Sequence, residues 1–323
     1  MKTPICLRLD DPTPVLSVYY THSITGKTGD GRPVCEYYPN SFLDEFCNIT
    51  EKWGIKGKFS IVPAPGNRGD IVNGIEGVSD KERTDWLDMV KSRVVRNFSI
   101  TPEMLTHNMA VDVETGSVLS ERENIWSQKQ NAESLTKYLS RALSILKNAG
   151  FDCTGITSPW NFGLECPREY TTAVSRALWE VFGVKDSWFF LMSGGNDSRP
   201  QILDTEDGRT VVSLTTNTHD RIWQTMDTTD TSESYVSHVA DTILTADGRA
   251  GDVAEVISAG GYPVIITHWQ SLASNGLFTG LRVLDEVARR IEANFGDSVE
   301  WCKAEDIAKR ILMERDKFTS LQV

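Results

Sequence analysis

The amino-acid sequence predicts an α/β fold, a single distorted, TIM-like (β/α) barrel of seven or eight strands. Short apolar segments rich in β-branched residues alternate with longer amphipathic segments along all 323 residues. Sustained alternation of this kind is typical of a parallel sheet covered by helices. The sequence has neither a glycine-rich dinucleotide motif after its first strand nor a phosphate-loop lysine, which disfavours the open nucleotide-binding sheets. We therefore expect one barrel domain over residues 1–323.

Eight segments are predicted as strands because each is short, apolar and rich in β-branched or aromatic residues. In chain order they are Ile5–Leu9, Gly57–Val62, Ser99–Leu105, Thr154–Ser158, Trp188–Leu191, Val211–Leu214, Val264–Thr267 and Val299–Trp301. Pro102 and Glu103 interrupt the third segment, since proline belongs at the start or the edge of a strand.

Amphipathic helices are predicted between the strands. The clearest are Leu135–Leu146 and Leu284–Phe295, where apolar residues recur at helical spacing and a glycine follows within a few residues. Two segments, Thr21–Asn40 and Pro63–Asp80, are instead rich in glycine, proline and polar residues. We expect them to form long loops on the rim of the barrel, because strand–helix units resume directly after each.

Composition limits the classes of partner. Lys and Arg total 33 and Asp and Glu total 45, which gives a net charge of −12. An acidic surface repels phosphate backbones and anionic lipids, so we expect neither nucleic acid nor a membrane as a partner. The six cysteines are scattered and no secretion signal is visible, which favours reduced thiols and a cytoplasmic location. A homo-oligomer is compatible with this composition.

Polar residues follow several predicted strands, and the carboxyl ends of the strands form the active site of a (β/α) barrel. The first strand ends at Asp10 and Asp11, the third leads to His107, and the seventh leads to His268. Two adjacent carboxylates can divide labour between binding a metal ion and accepting a proton from water. Asp11 and His107, with Asp112 as a candidate third ligand, form a set that suits zinc or a harder divalent ion.

Two alternatives to a ligand role for Asp112 are Glu114 as the ligand and a site without a metal. His22 lies in a loop of glycine and threonine, and His238 lies on a polar helix. We expect both of these histidines to be structural.

The remaining candidates are placed for proton transfer and substrate contacts. His268 follows the most apolar strand, where an imidazole can protonate a leaving group or stabilise an oxyanion. His219 and Asp220 could orient a substrate or act as an auxiliary acid–base pair. The other candidates for substrate contacts are Pro159, Trp160, Trp223 and Trp269. The tryptophans suit stacking against sugar rings.

At these residues the sequence resembles the polysaccharide deacetylase superfamily, the chitooligosaccharide deacetylase-like hydrolases, whose fold is a distorted (β/α)7-type barrel. The first motif of that family is an apolar strand ending in two aspartates, as in Ile5–Asp11. The resemblance implies that Asp10 is the catalytic base and Asp11 a metal ligand. The last motif is an apolar strand ending in the histidine that acts as general acid, as in Val264–His268.

Two motifs depart from the family pattern. The second motif has two histidines four residues apart, whereas here Val111 stands four positions after His107. The third motif is Arg-x-Pro-aromatic, and Ile156–Trp160 keeps the proline and the aromatic residue but lacks the arginine.

We therefore expect a hydrolase that acts on amide-type C–N bonds of a carbohydrate or a small metabolite, in particular a metal-dependent deacetylase. The expected cofactor is zinc, with cobalt, manganese or nickel as alternatives. Three other functions remain open: a glycoside hydrolase with paired carboxylates on the same barrel, a metal-free amidohydrolase, and a non-catalytic barrel that binds sugars through its tryptophans.

Overall fold

The computed structural model describes residues 2–190 and 199–323 and shows a mixed α/β protein. Its strands are β1 Thr3–Asp10, β2 Gly57–Ile61, β3 Gly69–Asp70, β4 Gly74–Ile75, β5 Phe98–Pro102, β6 Met109–Val111, β7 Val118–Arg122, β8 Gly155–Thr157, β9 Asp186–Phe190, β10 Gln201–Asp204, β11 Thr210–Leu214, β12 Val264–His268, β13 Val299–Trp301 and β14 Thr319–Gln322. Its helices are α1 Val18–His22, α2 Asn40–Trp53, α3 Asp80–Met89, α4 Glu123–Ser127, α5 Ala132–Asn148, α6 Pro167–Phe182, α7 Glu233–Ile243, α8 Asp252–Ser258, α9 Trp269–Ala273, α10 Thr279–Phe295 and α11 Ala304–Met313.

Two five-stranded sheets carry the fold. The first has the order β12-β1-β2-β5, all parallel, and β13 pairs in parallel with the start of β1. The second has the order β14-β10-β11-β9-β8 and is parallel except between β10 and β11. This arrangement confirms the predicted combination of parallel sheets and helices.

The two sheets approach each other at two places. Isolated parallel bridges, Ile100 to Cys153 and Glu103 to Thr157, connect the β5 edge to the β8 edge. At the second place no strand ladder joins β12, the other edge strand of the first sheet, to the inner strand β11 in residues 2–190 and 199–323. There the side chain of Asn217 accepts a hydrogen bond from the Val264 N–H at 2.8 Å. A closed, continuous barrel is therefore not detected among the described strands.

All eight predicted strands are present, with shifted ends. The third ends at Pro102 and not at Leu105, because the chain then enters a loop in which Met104 has a left-handed φ of 52°. The last residue of the predicted strand Trp188–Leu191 lies outside the described residues. The predicted rim loop Pro63–Asp80 contains the short β3-β4 hairpin.

The predicted helices are confirmed as α5 and α10. The side chain of Asn131 caps the start of α5 by accepting a hydrogen bond from the Ser134 N–H at 2.9 Å. The apolar face of α5 is buried, with Leu135, Leu139 and Leu143 fully inaccessible to solvent. Burial of each leucine contributes about 1.5–3 kcal/mol, so the tertiary packing stabilises this helix.

Strand β1 is buried on both faces, which determines where its polar residues lie. Ile5, Leu7 and Leu9 belong to the large apolar core, whereas Cys6 packs in a second cluster that includes Phe190 of β9. Because side chains alternate along a strand, Arg8 and Asp10 share the face of Cys6. The Arg8 guanidinium indeed lies 5.1 Å from the centre of the Phe190 ring. Charged side chains of β1 therefore point into the space between the two sheets.

Among the residues that the structure describes, no helix combines the length and the apolar character that a membrane crossing requires.

Candidate active site

A small cleft with a volume of about 70 Å³ lies at the carboxyl ends of β1, β5 and β12. It is lined by Asp10, Asp11, His22, Glu103, His107, Pro159, Trp160, Trp223, His268 and Gln270. The structure therefore brings together the residues that the sequence placed at these strand ends. The cleft is also lined by three residues that were not expected there from the sequence, Glu103, His22 and Gln270.

Asp11 is held in place where the chain leaves β1. Its backbone has a left-handed φ of 71°, which turns the chain sharply. One carboxylate oxygen accepts a hydrogen bond from Gln270 Nε2 at 2.6 Å, and the other lies 3.1 Å from His107 Nε2. Burial alone would raise the pKa of Asp11, but His107 and Gln270 hold it well below its usual range. Asp11 is therefore an ionised carboxylate inside the protein.

His107 lies on a loop that wraps around a buried carboxylate. Glu123, at the start of α4, accepts hydrogen bonds from the backbone N–H groups of Leu105, Thr106 and His107 at 2.7–3.0 Å. The Tyr138 hydroxyl donates to the same carboxylate at 2.7 Å. His107 itself has a left-handed φ of 51°, a conformation that costs free energy unless the surroundings impose it. Glu123 supplies that constraint.

Asp10 is paired with two buried cations. Arg8 donates to its carboxylate at 2.7 Å through Nη2, and the Lys58 ammonium donates to its other oxygen. Lys58 Nζ also lies 3.6 Å from Glu103 Oε2. Burial alone would raise the pKa of Asp10, but the charges of Arg8 and Lys58 lower it to about 2. Burial, followed by the charge of Asp10, raises the pKa of Glu103 to about 7.

Asp11, Glu103 and His107 form a group that fits a divalent metal ion. Each offers one ligand atom, and these atoms lie within 4.8 Å of one another. Asp11 Oδ1 and Glu103 Oε2 are buried without a hydrogen-bond partner, although His107 Nε2 and Lys58 Nζ lie 3.1 and 3.6 Å from them. An unpartnered buried polar atom costs about 1–3 kcal/mol, so two together favour a ligand at this place. Two oxygens and one nitrogen suit zinc or manganese.

The structure does not place Asp112 with this group. Its carboxylate accepts hydrogen bonds from the N–H groups of Glu114 and Thr115 at 2.9 and 3.0 Å, which closes the turn between β6 and β7. Glu114, the alternative ligand, is exposed in that turn and pairs with Lys137. Glu103 lies beside Asp11 and His107 instead. The local sequence feature that pointed to an unusual position for Glu103 was the interruption of the predicted third strand at Pro102.

His268 is paired with Asp220 on the other side of the cleft. Its Nδ1 lies 2.7 Å from Asp220 Oδ2, and Ser271 Oγ donates to the same oxygen at 2.6 Å. The second oxygen of Asp220 accepts the Trp223 N–H at 3.2 Å. Burial alone would lower the pKa of His268, but Asp220 raises it to about 9. The imidazole is therefore protonated at neutral pH and oriented by Asp220.

The other predicted contact residues are divided between the cleft and the rest of the molecule. Pro159 and Trp160 line the cleft, and Trp160 lies edge-on to His107 with ring centres 4.3 Å apart. His219 points away from the cleft, with its side chain 67% exposed beside Asp252. Trp269 is buried in the core against Phe42, with ring centres 4.4 Å apart. It follows His268 directly and so points to the opposite side of the chain.

His22, which the sequence suggested was structural, lines the cleft. Its ring stacks on His107 with ring centres 5.0 Å apart and an interplanar angle of 20°. Burial, followed by the charge of His107, lowers the pKa of His22 to about 3. It is therefore a neutral imidazole at the mouth of the cleft. Its position in a polar loop gave no signal of this placement.

No protein-family model matches the sequence. No curated protein matches it either. Among solved structures, a mutant of the peptidoglycan deacetylase PdaC from Bacillus subtilis is 8% identical with a TM-score of 0.41, and the alignment covers 98% of this chain and 94% of that chain. A lactam utilization protein from Thermus thermophilus is 12% identical with a TM-score of 0.42, covering 93% and 98%.

A 4-alpha-glucanotransferase from Thermococcus litoralis is 11% identical with a TM-score of 0.45, and the alignment covers 99% of this chain but 42% of that chain. All three similarities are distant.

Proposed function

We propose that the chain is a hydrolase of amide-type C–N bonds on a carbohydrate or small metabolite, a metal-dependent deacetylase built on a distorted (β/α) barrel. One observation carries the proposal: a group of acidic residues and His107 faces the Asp220–His268 pair across one small cleft. Amide hydrolysis needs these two functions together, activation of a carbonyl and a water on one side and protonation of the departing amine on the other.

Asp11, Glu103 and His107 would hold the divalent ion, which is zinc or alternatively cobalt, manganese or nickel. When bound, such an ion polarises a carbonyl oxygen and stabilises the negative charge that develops on it. Gln270 keeps the Asp11 carboxylate oriented by its hydrogen bond at 2.6 Å. Glu123 keeps His107 oriented through the backbone of its loop.

Asp10 is the proposed acceptor of the proton from the attacking water. Arg8 and Lys58 fix its carboxylate at the floor of the cleft and keep it ionised. The same two cations reduce its basicity, since its pKa is lowered to about 2. Because Asp10 is a weak base, the attacking water must be held close to its carboxylate for the proton to be transferred as the C–O bond forms.

His268 is the proposed general acid. Because Asp220 binds Nδ1, the other ring nitrogen is free to donate its proton to the amine as the C–N bond breaks. The products are a carboxylic acid and an amine, and the proton taken from water by Asp10 balances the one given by His268. Asp220 also stabilises the imidazolium form that must be present before the reaction.

A glycoside hydrolase is less well supported by the same geometry. That reaction needs two carboxyl groups on opposite sides of a sugar bond. Asp10, Asp11 and Glu103 lie together, whereas Asp220 across the cleft is occupied by His268, Ser271 and the Trp223 N–H.

The proposal is tested by measuring amine release from N-acetylated sugars and small amides after loading with zinc, cobalt, manganese or nickel. His268→Ala should abolish turnover while circular dichroism shows a folded protein. His238→Ala is the matched control, because His238 is exposed on α7. Full activity in His268→Ala, or release of reducing sugar without amine, would overturn the proposal.

A further inference from the structure

The mouth of the cleft is bordered by a continuous series of aromatic rings, here called the aromatic arc. Its members in spatial order are His107, Trp160, His22, Tyr19, Trp223 and His268. Successive ring centres are 4.3, 5.1, 5.5, 5.3 and 5.5 Å apart, so each ring contacts the next. The arc therefore runs without a gap from the histidine of the acidic group to the proposed general acid.

Hydrogen bonds fix the middle of the arc to neighbouring loops. The side chain of Asn108 donates to the carbonyl oxygen of Thr21 at 3.2 Å, and Arg122 donates to the carbonyl oxygen of His22 at 3.2 Å. The guanidinium of Arg122 also lies 5.7 Å from the centre of the Trp160 ring. One arginine thus joins two members of the arc, and the end of α1 is held over the cleft.

The space behind the arc is small. Its volume is about 70 Å³, whereas pockets for drug-sized ligands measure roughly 300–1,000 Å³. A cavity of about 150 Å³ is large enough to bind benzene, so the cleft accommodates a slim acyl group and little more. A complete sugar ring is larger than benzene and therefore exceeds the volume beside Asp10 and Glu103.

The surroundings of the cleft also offer little support for a long glycan. Proteins bind sugars by stacking rings on exposed aromatic faces, since an aromatic side chain combines apolar area with a specific geometry. Among the tryptophans in the described parts of the chain, Trp179 is exposed, whereas Trp160 and Trp223, which line the cleft, are half-buried. Trp179 packs near Arg209 at the surface of α6 and does not line the cleft.

We infer that the aromatic arc restricts the substrate to small-molecule amides that enter with the acyl group first, and that it excludes the interior units of a glycan chain. This inference rests on the proposed amide hydrolysis and adds the class of substrate. Tyr19 and Trp223 set the width of the opening, because they form the part of the arc between His22 and His268. The two residues are specificity determinants and take no part in proton transfer.

The test compares N-acetylglucosamine and small N-acetylated amines with the pentamer of N-acetylglucosamine, using the metal-loaded full chain. We expect kcat/KM for the best small amide to exceed that for the pentamer by at least about tenfold, the size of effect that a steric restriction in a pocket produces. Any hydrolysis of the pentamer should release amine from a terminal unit. Preference for the pentamer, or deacetylation of its interior units, would overturn the inference.

Two variants open the arc, Trp223→Ala and Tyr19→Ala. Each should raise the pentamer-to-monomer ratio of kcat/KM by at least about tenfold, because a removed ring widens the opening. Trp179→Ala removes an exposed tryptophan outside the cleft and should leave the ratio unchanged. An unchanged ratio in both arc variants, with folding intact, would show that the arc does not select the substrate.

Binding of N-acetylglucosamine and of the pentamer, measured by calorimetry on the same three variants and the wild type, separates the two proposals. If no amide is hydrolysed, the proposed function fails. The inference still stands if the wild type does not bind the pentamer and the arc variants do. It fails if the wild type binds the pentamer as tightly as the variants do.

Discussion

The Nδ1 atom of His268 lies 2.7 Å from Oδ2 of Asp220, beyond the ends of β11 and β12, two strands that share no strand ladder. Asp220 belongs to the segment that follows β11, and His268 is the last residue of β12. The pair therefore connects the two sheets at the position where backbone hydrogen bonds do not. It also determines the charge of His268, whose pKa is raised to about 9.

Asp220→Asn should shift the pH dependence of turnover to lower pH. His268 must be protonated to act as the acid, so wild-type activity should fall as the pH rises through about 9. Without the carboxylate charge the pKa of His268 decreases, and the alkaline limb should then move toward neutral pH. The pH profile of kcat/KM measures this shift, and titration of the imidazole by NMR measures it independently of turnover.

Asp230→Asn is the matched control for this prediction. It removes the same charge from the chain at an exposed aspartate that caps the turn before α7. Its alkaline limb should coincide with that of the wild type. An identical profile for Asp220→Asn and wild type would mean that Asp220 does not control the protonation of His268.

Lys58→Met should destabilise the fold strongly. The Lys58 ammonium is fully buried and lies beside the carboxylates of Asp10 and Glu103. Removing one partner of a buried ion pair leaves an uncompensated charge, which typically costs about 3–5 kcal/mol. Urea denaturation measures the free energy of unfolding. Lys81→Met, which breaks an exposed pair with Asp85, should have no measurable effect, and equal losses in the two variants would contradict the prediction.

Glu123→Gln should disturb the loop that carries His107. A glutamine has one acceptor oxygen and no charge, whereas the Glu123 carboxylate accepts three backbone N–H groups and the Tyr138 hydroxyl. Hydrogen bonds to a charged group contribute about 1.5–3 kcal/mol, so we expect a loss of at least that size in the free energy of unfolding. Tyr138→Phe removes one of these four donors and should cost about 1.5–3 kcal/mol, less than Glu123→Gln.

If Glu123→Gln were as stable as Tyr138→Phe, the three backbone hydrogen bonds would not depend on the carboxylate. In that case the left-handed backbone of His107 must be imposed by other contacts, such as those of its ring with Trp160 and His22.

Local sequence signals were sufficient for the strands and for the residues at their ends. Asp11 and His268 directly follow apolar, β-branched segments, and parallel strands bring such ends to one side of a sheet. The helices α5 and α10 were predictable for the same reason, since their apolar spacing is independent of the rest of the chain. These features require no knowledge of how distant segments pack.

Features that depend on the path of a loop were not predictable. Glu103 reaches the cleft because the chain turns immediately after Pro102 and curls around a carboxylate 20 residues further on, at Glu123. His22 reaches it because Arg122 holds the end of α1. Trp269 points into the core because α9 begins directly after β12. Each placement is determined by contacts between segments far apart in the sequence.

Substitutions at Glu103 and Asp112 discriminate between the two candidates for the third metal ligand. Glu103 Oε2 is buried, accepts no hydrogen bond and is grouped with Asp11 and His107, whereas the Asp112 carboxylate is occupied by backbone N–H groups of its own turn. Metal affinity is measured by calorimetric titration of metal-free protein with zinc and manganese. Loss of a residue that only hydrogen-bonds to a ligand typically weakens metal binding roughly 10–100-fold, and we expect Glu103→Gln to weaken it by more. Asp112→Asn should bind both ions like the wild type. If Asp112→Asn instead lost metal affinity by more than that factor and Glu103→Gln did not, Asp112 would be the third ligand. A side chain that forms no bond to the ion does not change the metal affinity by such a factor.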